Sequence, residues 1–137
     1  LGLAQTEKAD EYKAMRMKNH ALYEKYLKDV PGIIFQQKHP KTISVEWMNA
    51  IVLHPEIYGR TKEELIAHLK SNGVDTRLLF NSMHRQKSLQ DYGCDCSGEY
   101  PVSDWLCENG LYLPSASSLE ENTIVFICKL IQDFKKK

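Results

Sequence analysis

NGVDTRLLFNSMHRQKSL, residues Asn72–Leu89, is the stretch on which the reading of this chain turns. Gly73 closes a run with helical spacing and supplies the left-handed residue that ends a helix at least cost. Val74–Phe80 is rich in β-branched and large apolar residues, which predicts a short strand. The chain then turns into a loop, so that Arg77, Asn81, His84 and Arg85 fall close together. Two cations, an imidazole and an amide gathered after a strand mark the place to look for chemistry.

Working outward, Thr61-Lys62-Glu63-Glu64 has the form of a capping box, in which the Thr61 hydroxyl accepts from the Glu64 amide while the Glu64 carboxylate reaches back. Such a cap contributes about 1 kcal/mol. The helix it starts turns Leu65, Ile66 and Leu69 inward. Before it, Ile33–Phe35 and Ile43–Leu53 read as two strands; the second carries Trp47 and is apolar on both faces over Ala50–Leu53, as a central strand covered on each side would be. Residues 3–28 contain no proline and place Tyr12, Met15, Asn19, Leu22 and Tyr26 at alternating steps of three and four, which predicts one long amphipathic helix. Asp29-Val30-Pro31-Gly32 ends it.

Downstream, Gln90–Gly98 reads as a loop. Pro101 suits the first turn of a helix running to about Asn109, with Gly110 as its stop. Leu111–Ser115 reads as a short extended segment. Ser118-Leu119-Glu120-Glu121 has the form of a second capping box, ahead of a helix whose buried stripe is Ile124, Ile127, Cys128, Ile131 and Phe134. The class is therefore α+β: a long N-terminal helix and a short, mainly antiparallel sheet of about three strands with helices packed on it.

Composition narrows the function. Lys plus Arg and Asp plus Glu are both 18, so the chain has no basic footprint for nucleic acid or an anionic membrane. No apolar run reaches the roughly 18 residues of a membrane span, and a soluble, cytoplasmic protein is expected. A chain of this length buries roughly 68% of its unfolded surface, so the four cysteines are expected as reduced thiols rather than staples. Leu1 falls within a helical pattern, so a fragment or processed chain is expected.

Several phrases together resemble one family. LGLAQTEKADEYKAMR with Tyr23 and Leu27 behind it, SVEWMNAIVL, YGRTKEELIAHLKSNGVDTRLLFNSMHRQKSL and YPVSDWLCENGLYLPSASSLEE follow one another as in the C-terminal part of the DegT-type pyridoxal-phosphate-dependent sugar aminotransferases, of the aspartate-aminotransferase fold. Within that family the chain is similar to the perosamine-synthase-like group, which aminates C4 of a nucleotide-linked 4-keto-6-deoxy sugar. The resemblance implies a two-part enzyme that transfers an amino group from glutamate to a keto-deoxy-sugar nucleotide and assembles as a homodimer. Residues 1–31 would be the linking helix from a large N-terminal domain and residues 32–137 the small domain.

The same resemblance implies that the large domain, absent from this chain, holds the cofactor lysine and the groups that bind pyridoxal phosphate. No cofactor is then expected on this chain alone, and it should be inactive by itself. None of the 14 lysines sits in a phrase like the family's Schiff-base segment, and Lys87, nearest the loop, reads as a surface residue. Carried over, His84 would hydrogen-bond the hexose or its diphosphate, and Arg77 would hold a carboxylate or diphosphate in a forked geometry or pair with an acid of the large domain. Asn81 and Arg85 would meet substrate hydroxyls, or remain solvated. No catalytic residue is expected here. Two other readings stay open: a free-standing α+β interaction module without catalysis, and a zinc module built from Cys94, Cys96, Cys107 and His84, whose spacing is poor for such a site.

Overall fold

The structure is a computed structural model and describes residues 2–135. Its centre is one antiparallel sheet of four strands: β1 (Ile33–Phe35), β2 (Asn49–Leu53), β3 (Arg77–Leu78) and β4 (Gly110–Leu113), in the spatial order β1-β2-β4-β3. Side chains alternate across the two faces. Ile51 lies opposite Leu111, Leu53 opposite Ile33 and Asn49 opposite Leu113, so all of these point to one side. That side is the core. Ile51, Leu53, Leu111 and Leu113 are almost completely buried on it.

The helices are α1 (Gly2–Glu7), α2 (Ala9–Leu27), α3 (Pro55–Tyr58), α4 (Lys62–Ser71), α5 (Lys87–Asp91), α6 (Pro101–Asn109) and α7 (Glu121–Phe134). The α7 stripe forms as its spacing predicts: Ile124, Ile127, Cys128 and Ile131 are buried, packing on α2 and α4. Burial pushes the Cys128 thiol up to about 12 and raises the Tyr23 and Tyr58 phenols, because the low-dielectric core disfavours their charged forms. The capping box at Thr61 is present in both directions, and α4 passes through Asn72 into Gly73 at φ 78°. At Gly32 the glycine is obligatory. Its φ is 88°, and a Cβ would stand 2.5 Å from the Tyr58 amide nitrogen.

The sheet has four strands rather than about three, because Gly110–Leu113 pairs on both sides. The second strand begins only at Asn49: β1 is three residues long and offers partners only to Ile51–Leu53, and Glu46 turns the chain at φ 48°. Trp47 therefore precedes the central strand and is exposed, 58% of its surface meeting solvent. The strand expected over Val74–Phe80 is reduced to Arg77–Leu78, paired along one side only. The helix expected over 3–28 is interrupted at Lys8, and α3 and α5 lie where no helix was expected. The second capping box does not form. Leu119 donates to the Ala116 carbonyl in a turn, and α7 starts at Glu121 behind an N-cap, Glu120, with no side-chain cap. Gly110 acts by its missing Cβ, which would lie 2.6 Å from the Leu106 carbonyl oxygen, and it continues straight into β4.

Candidate functional site

Of the four residues named from the sequence, Arg77 and His84 line two different hollows, and Asn81 and Arg85 are in the lining of neither. Arg77, on the edge strand β3, lines a cleft of about 280 Å³ whose other walls are Arg16, Trp47, Asp75, Tyr112 and the Pro114–Ala116 segment. Among the described residues its guanidinium forms no ion pair. The cleft is built by α2. Three side chains on one face of that helix donate to successive carbonyls beyond β4: Tyr23 Oη to Pro114 at 3.0 Å, Asn19 Nδ2 to Ala116 at 3.0 Å, and Arg16 Nη1 to Ser115 at 3.3 Å. Arg16 Nη1 also donates to the Trp47 carbonyl at 2.7 Å. From the sheet side, the Asn49 amide and its Nδ2 both donate to Ser115 Oγ, which donates to the Leu113 carbonyl. The wall is thus hydrogen-bonded from both sides.

Aromatic rings border the cleft. Trp47 stacks on Phe80 with centroids 6.3 Å apart and 28° between planes, and Phe80 meets the edge of Tyr112 at 5.5 Å. Burial raises the Tyr112 phenol above its ordinary value. Phe80 and Trp47 are both exposed.

His84 occupies the second hollow, which also measures about 280 Å³ and is lined by Met83, Leu89, Cys94, Cys96 and Tyr100. The Met83–Arg85 stretch forms one 3₁₀ turn tied to α6. His84 Nε2 lies 3.0 Å from Asp104 Oδ1, and its ring lies 4.8 Å from that of Tyr100. Arg85 Nε takes the same Asp104 oxygen at 2.7 Å while Nη2 donates to Glu108 at 2.8 Å. The hydrogen bond to Glu108 pushes the guanidinium pKa above its ordinary value. Cys107 donates to the Phe80 carbonyl and Ser103 to Ser82 Oγ, which closes the loop onto the helix. Asn81 is exposed, and its carbonyl accepts from Gln86 Nε2.

So the structure does not bring Arg77 and His84 to one hollow, and it gives Arg85 two carboxylate partners. The sequence reading missed Arg16 and Asp104. Arg16 had a signal: it adjoins Met15 in the Tyr12–Met15–Asn19–Leu22–Tyr26 stripe, where a cation turned toward the core must find carbonyl or carboxylate partners. Asp104 had none, since nothing in the sequence ties it to His84 across 20 residues. Among the described residues no three His, Cys, Asp or Glu side chains are arranged to hold a metal ion, and Cys107 is spent on Phe80 and Ser82. Among the described residues no lysine lines either hollow, so these residues do not by themselves fit a cofactor held as a Schiff base.

Residues 1–132 match the sequence model of the DegT/DnrJ/EryC1/StrS aminotransferase family. The chain is 26% identical over 135 residues to the GDP-perosamine synthase of Escherichia coli O157:H7, covering 98% of this chain and 34% of that protein. Among solved structures it resembles S. venezuelae DesV in complex with a ketimine intermediate (TM-score 0.84, 19% identity), across 98% of this chain and 34% of that one. It also resembles Helicobacter pylori PseC, an aminotransferase of pseudoaminic acid biosynthesis (TM-score 0.82, 17% identity), over 96% and 35%. At these identities the structural likeness speaks for the fold. The chain spans about a third of the length of these relatives.

Proposed function

Because the chain belongs to the DegT/DnrJ/EryC1/StrS aminotransferase family, we propose that it is the small-domain third of a pyridoxal-phosphate-dependent nucleotide-sugar aminotransferase, which takes an amino group from glutamate. Pyridoxal phosphate, held by the remainder of the enzyme, supplies the electron sink for transamination. This chain's part is to bind and orient the substrate.

The observation that carries the reading is the uncompensated Arg77 guanidinium in an open cleft, within a chain that matches the family along nearly its whole length. A guanidinium in a cleft that, among the described residues, is not ion-paired suits a phosphate or carboxylate in a forked geometry. His84 approaches the hexose through Nδ1, since Nε2 is on Asp104. Asn81 and Arg85 stand at the rim for substrate hydroxyls. Residues 1–31 serve as the link to the large domain and 32–137 as the small domain, although α2 from Asn19 to Leu27 is also part of the core. The exposed apolar side chains Val45, Trp47, Leu78 and Phe80 cover the large domain or a second protomer of a homodimer.

The test is reconstitution. Produced together with the large domain of a family enzyme, this chain should restore glutamate-dependent amination of a keto-deoxy-sugar nucleotide, and Arg77→Gln should lower kcat/KM at least tenfold. A reconstituted pair that aminates no such sugar contradicts the reading.

A further inference from the structure

The run Cys94-Asp95-Cys96 has no part in the proposed function, and the fold sets it beside a histidine. Three features of that hollow bear on what the two thiols can do.

The first is where the cysteines stand. Cys128 is buried in the core, and Cys107 is hydrogen-bonded to the Phe80 carbonyl and to Ser82 Oγ. Cys94 is exposed and Cys96 half-buried, both as free thiols, and both line the hollow of about 280 Å³ that His84 also lines. A small solute entering that space meets two thiols and an imidazole.

The second is the shape of the loop. Gly93 closes α5 at φ 87°, and the Cys94 amide donates back to the Leu89 carbonyl at 3.0 Å. Asp95 Oδ1 then accepts from the Ser97 amide at 3.0 Å and from Ser97 Oγ at 2.6 Å, which curls the chain at Cys96. Two peptide units span at most about 7 Å between Cα atoms, and a disulfide needs about 4.4–6.8 Å, so a curled segment keeps the two thiols within reach of one another. A bridge across one residue closes a small ring. Strained and exposed disulfides are the easily reduced ones, which suits a reversible bond rather than a staple.

The third is the imidazole. His84 Nε2 lies 3.0 Å from Asp104 Oδ1, which puts the proton of the neutral ring on Nε2 and leaves the Nδ1 lone pair as the acceptor. Arg85 Nε holds the same carboxylate oxygen at 2.7 Å, and the Tyr100 ring lies 4.8 Å from the imidazole, so the ring is steadied from two sides. A base oriented by an acid and set beside a thiol is the arrangement that turns the thiol into a nucleophile.

We propose that Cys94 and Cys96 form a reversible dithiol–disulfide site whose substrate is a low-molecular-weight disulfide of the glutathione class, with His84 as its base. Cys94, the more exposed thiol, gives its proton to His84 Nδ1 as its sulfur attacks one sulfur of the substrate. The substrate's S–S bond breaks, and the leaving thiolate takes that proton away. Cys96 gives up its proton by the same route as its sulfur displaces the second substrate thiolate from Cys94. Two protein thiols are oxidised to one disulfide, and one small disulfide is reduced to two thiols. The site needs only residues of this chain, so it stands or falls apart from the nucleotide-sugar reading.

The test equilibrates the 137-residue chain with mixtures of reduced and oxidised glutathione, then quenches in acid, unfolds, alkylates and locates the modified cysteines by mass spectrometry. Far-UV circular dichroism confirms that each variant is folded. As the share of oxidised glutathione rises, Cys94 and Cys96 should become joined while Cys107 and Cys128 remain open to the alkylating agent. Cys94→Ser and Cys96→Ser should each stop at a mixed disulfide on the other cysteine of the pair. His84→Asn should slow oxidation and reduction alike, by about tenfold or more, and leave the equilibrium ratio unchanged, which marks a lost base rather than a disturbed loop.

A chain that stays fully reduced in millimolar oxidised glutathione, mixed disulfides on both cysteines without ring closure, a bridge to Cys107 or between two chains, or His84→Asn exchanging as fast as the parent would each overturn the proposal.

Discussion

At Arg77 the chain turns a guanidinium toward an open cleft where, among the described residues, no acid pairs with it, whereas His84 Nε2 and Arg85 Nε and Nη2 already have carboxylate partners on α6. Both come from the single stretch Asn72–Leu89. The difference lies in what faces each end. Opposite β3 lies β4, whose contribution at Tyr112 is an aromatic ring, while opposite the 3₁₀ turn lies α6, with Asp104, Cys107 and Glu108 on its inner side. One end keeps its charge available to a ligand. The other spends its charge on closing a loop, so a residue type that suggests binding can serve as a latch.

The largest expected effect tests the core that both ends share. Cys128 rises from an ordinary 9.0 to about 12 on folding, so the stability it contributes is fully present below pH 9 and is lost as pH climbs toward 12, at about 1.4 kcal/mol per unit. Tyr23 and Tyr58, also raised, add to the loss above pH 10. Alkaline titration followed by circular dichroism and by fluorescence should show one shared transition beginning above pH 9. An earlier, separate transition would mean that one end does not rest on this core.

Next in size is the latch. Asp104→Ala removes the carboxylate shared by His84 and Arg85 and should lower unfolding stability by about 2 kcal/mol in urea, with faster proteolysis near the 3₁₀ turn. Cys107→Ala, which loses the bond to the Phe80 carbonyl, should cost about 1 kcal/mol. Arg77→Gln should change stability by less than about 0.5 kcal/mol, as expected for an exposed side chain without an internal partner. If Arg77→Gln instead destabilised as much as Asp104→Ala, the two ends would not differ in the way described.

Much of the frame was legible in the sequence because it rests on local chemistry. The Thr61 box, the Gly73 stop, the Pro101 start and the α7 stripe are each written in four to eleven neighbouring residues, and each forms. What escaped depends on distant partners. The Ser118 box has the right letters, but the Pro114–Ala116 carbonyls just ahead of it are pinned by Tyr23, Asn19 and Arg16 of α2, and the chain leaves that anchorage in a turn rather than a helix. Ile43–Met48 has strand propensity, yet β1 is too short to pair with it. The candidate site was half legible in the same sense. Arg77 and His84 each line a hollow, but the two are separate ones, with His84 and Arg85 drawn to Asp104 of α6 and Arg77 facing a wall that Arg16 of α2 helps to hold.

Under the proposed function, Arg77 meets the phosphates of a nucleotide sugar, whereas the loop held to α6 does not. The most direct measurement is chemical-shift mapping of the ¹⁵N-labelled chain on addition of GDP. Shifts should concentrate at Trp47, Asp75–Leu78 and Tyr112–Ala116 and leave Met83–Gln86 unmoved. Shifts centred on Met83–Gln86, with the Arg77 cleft silent, would contradict it.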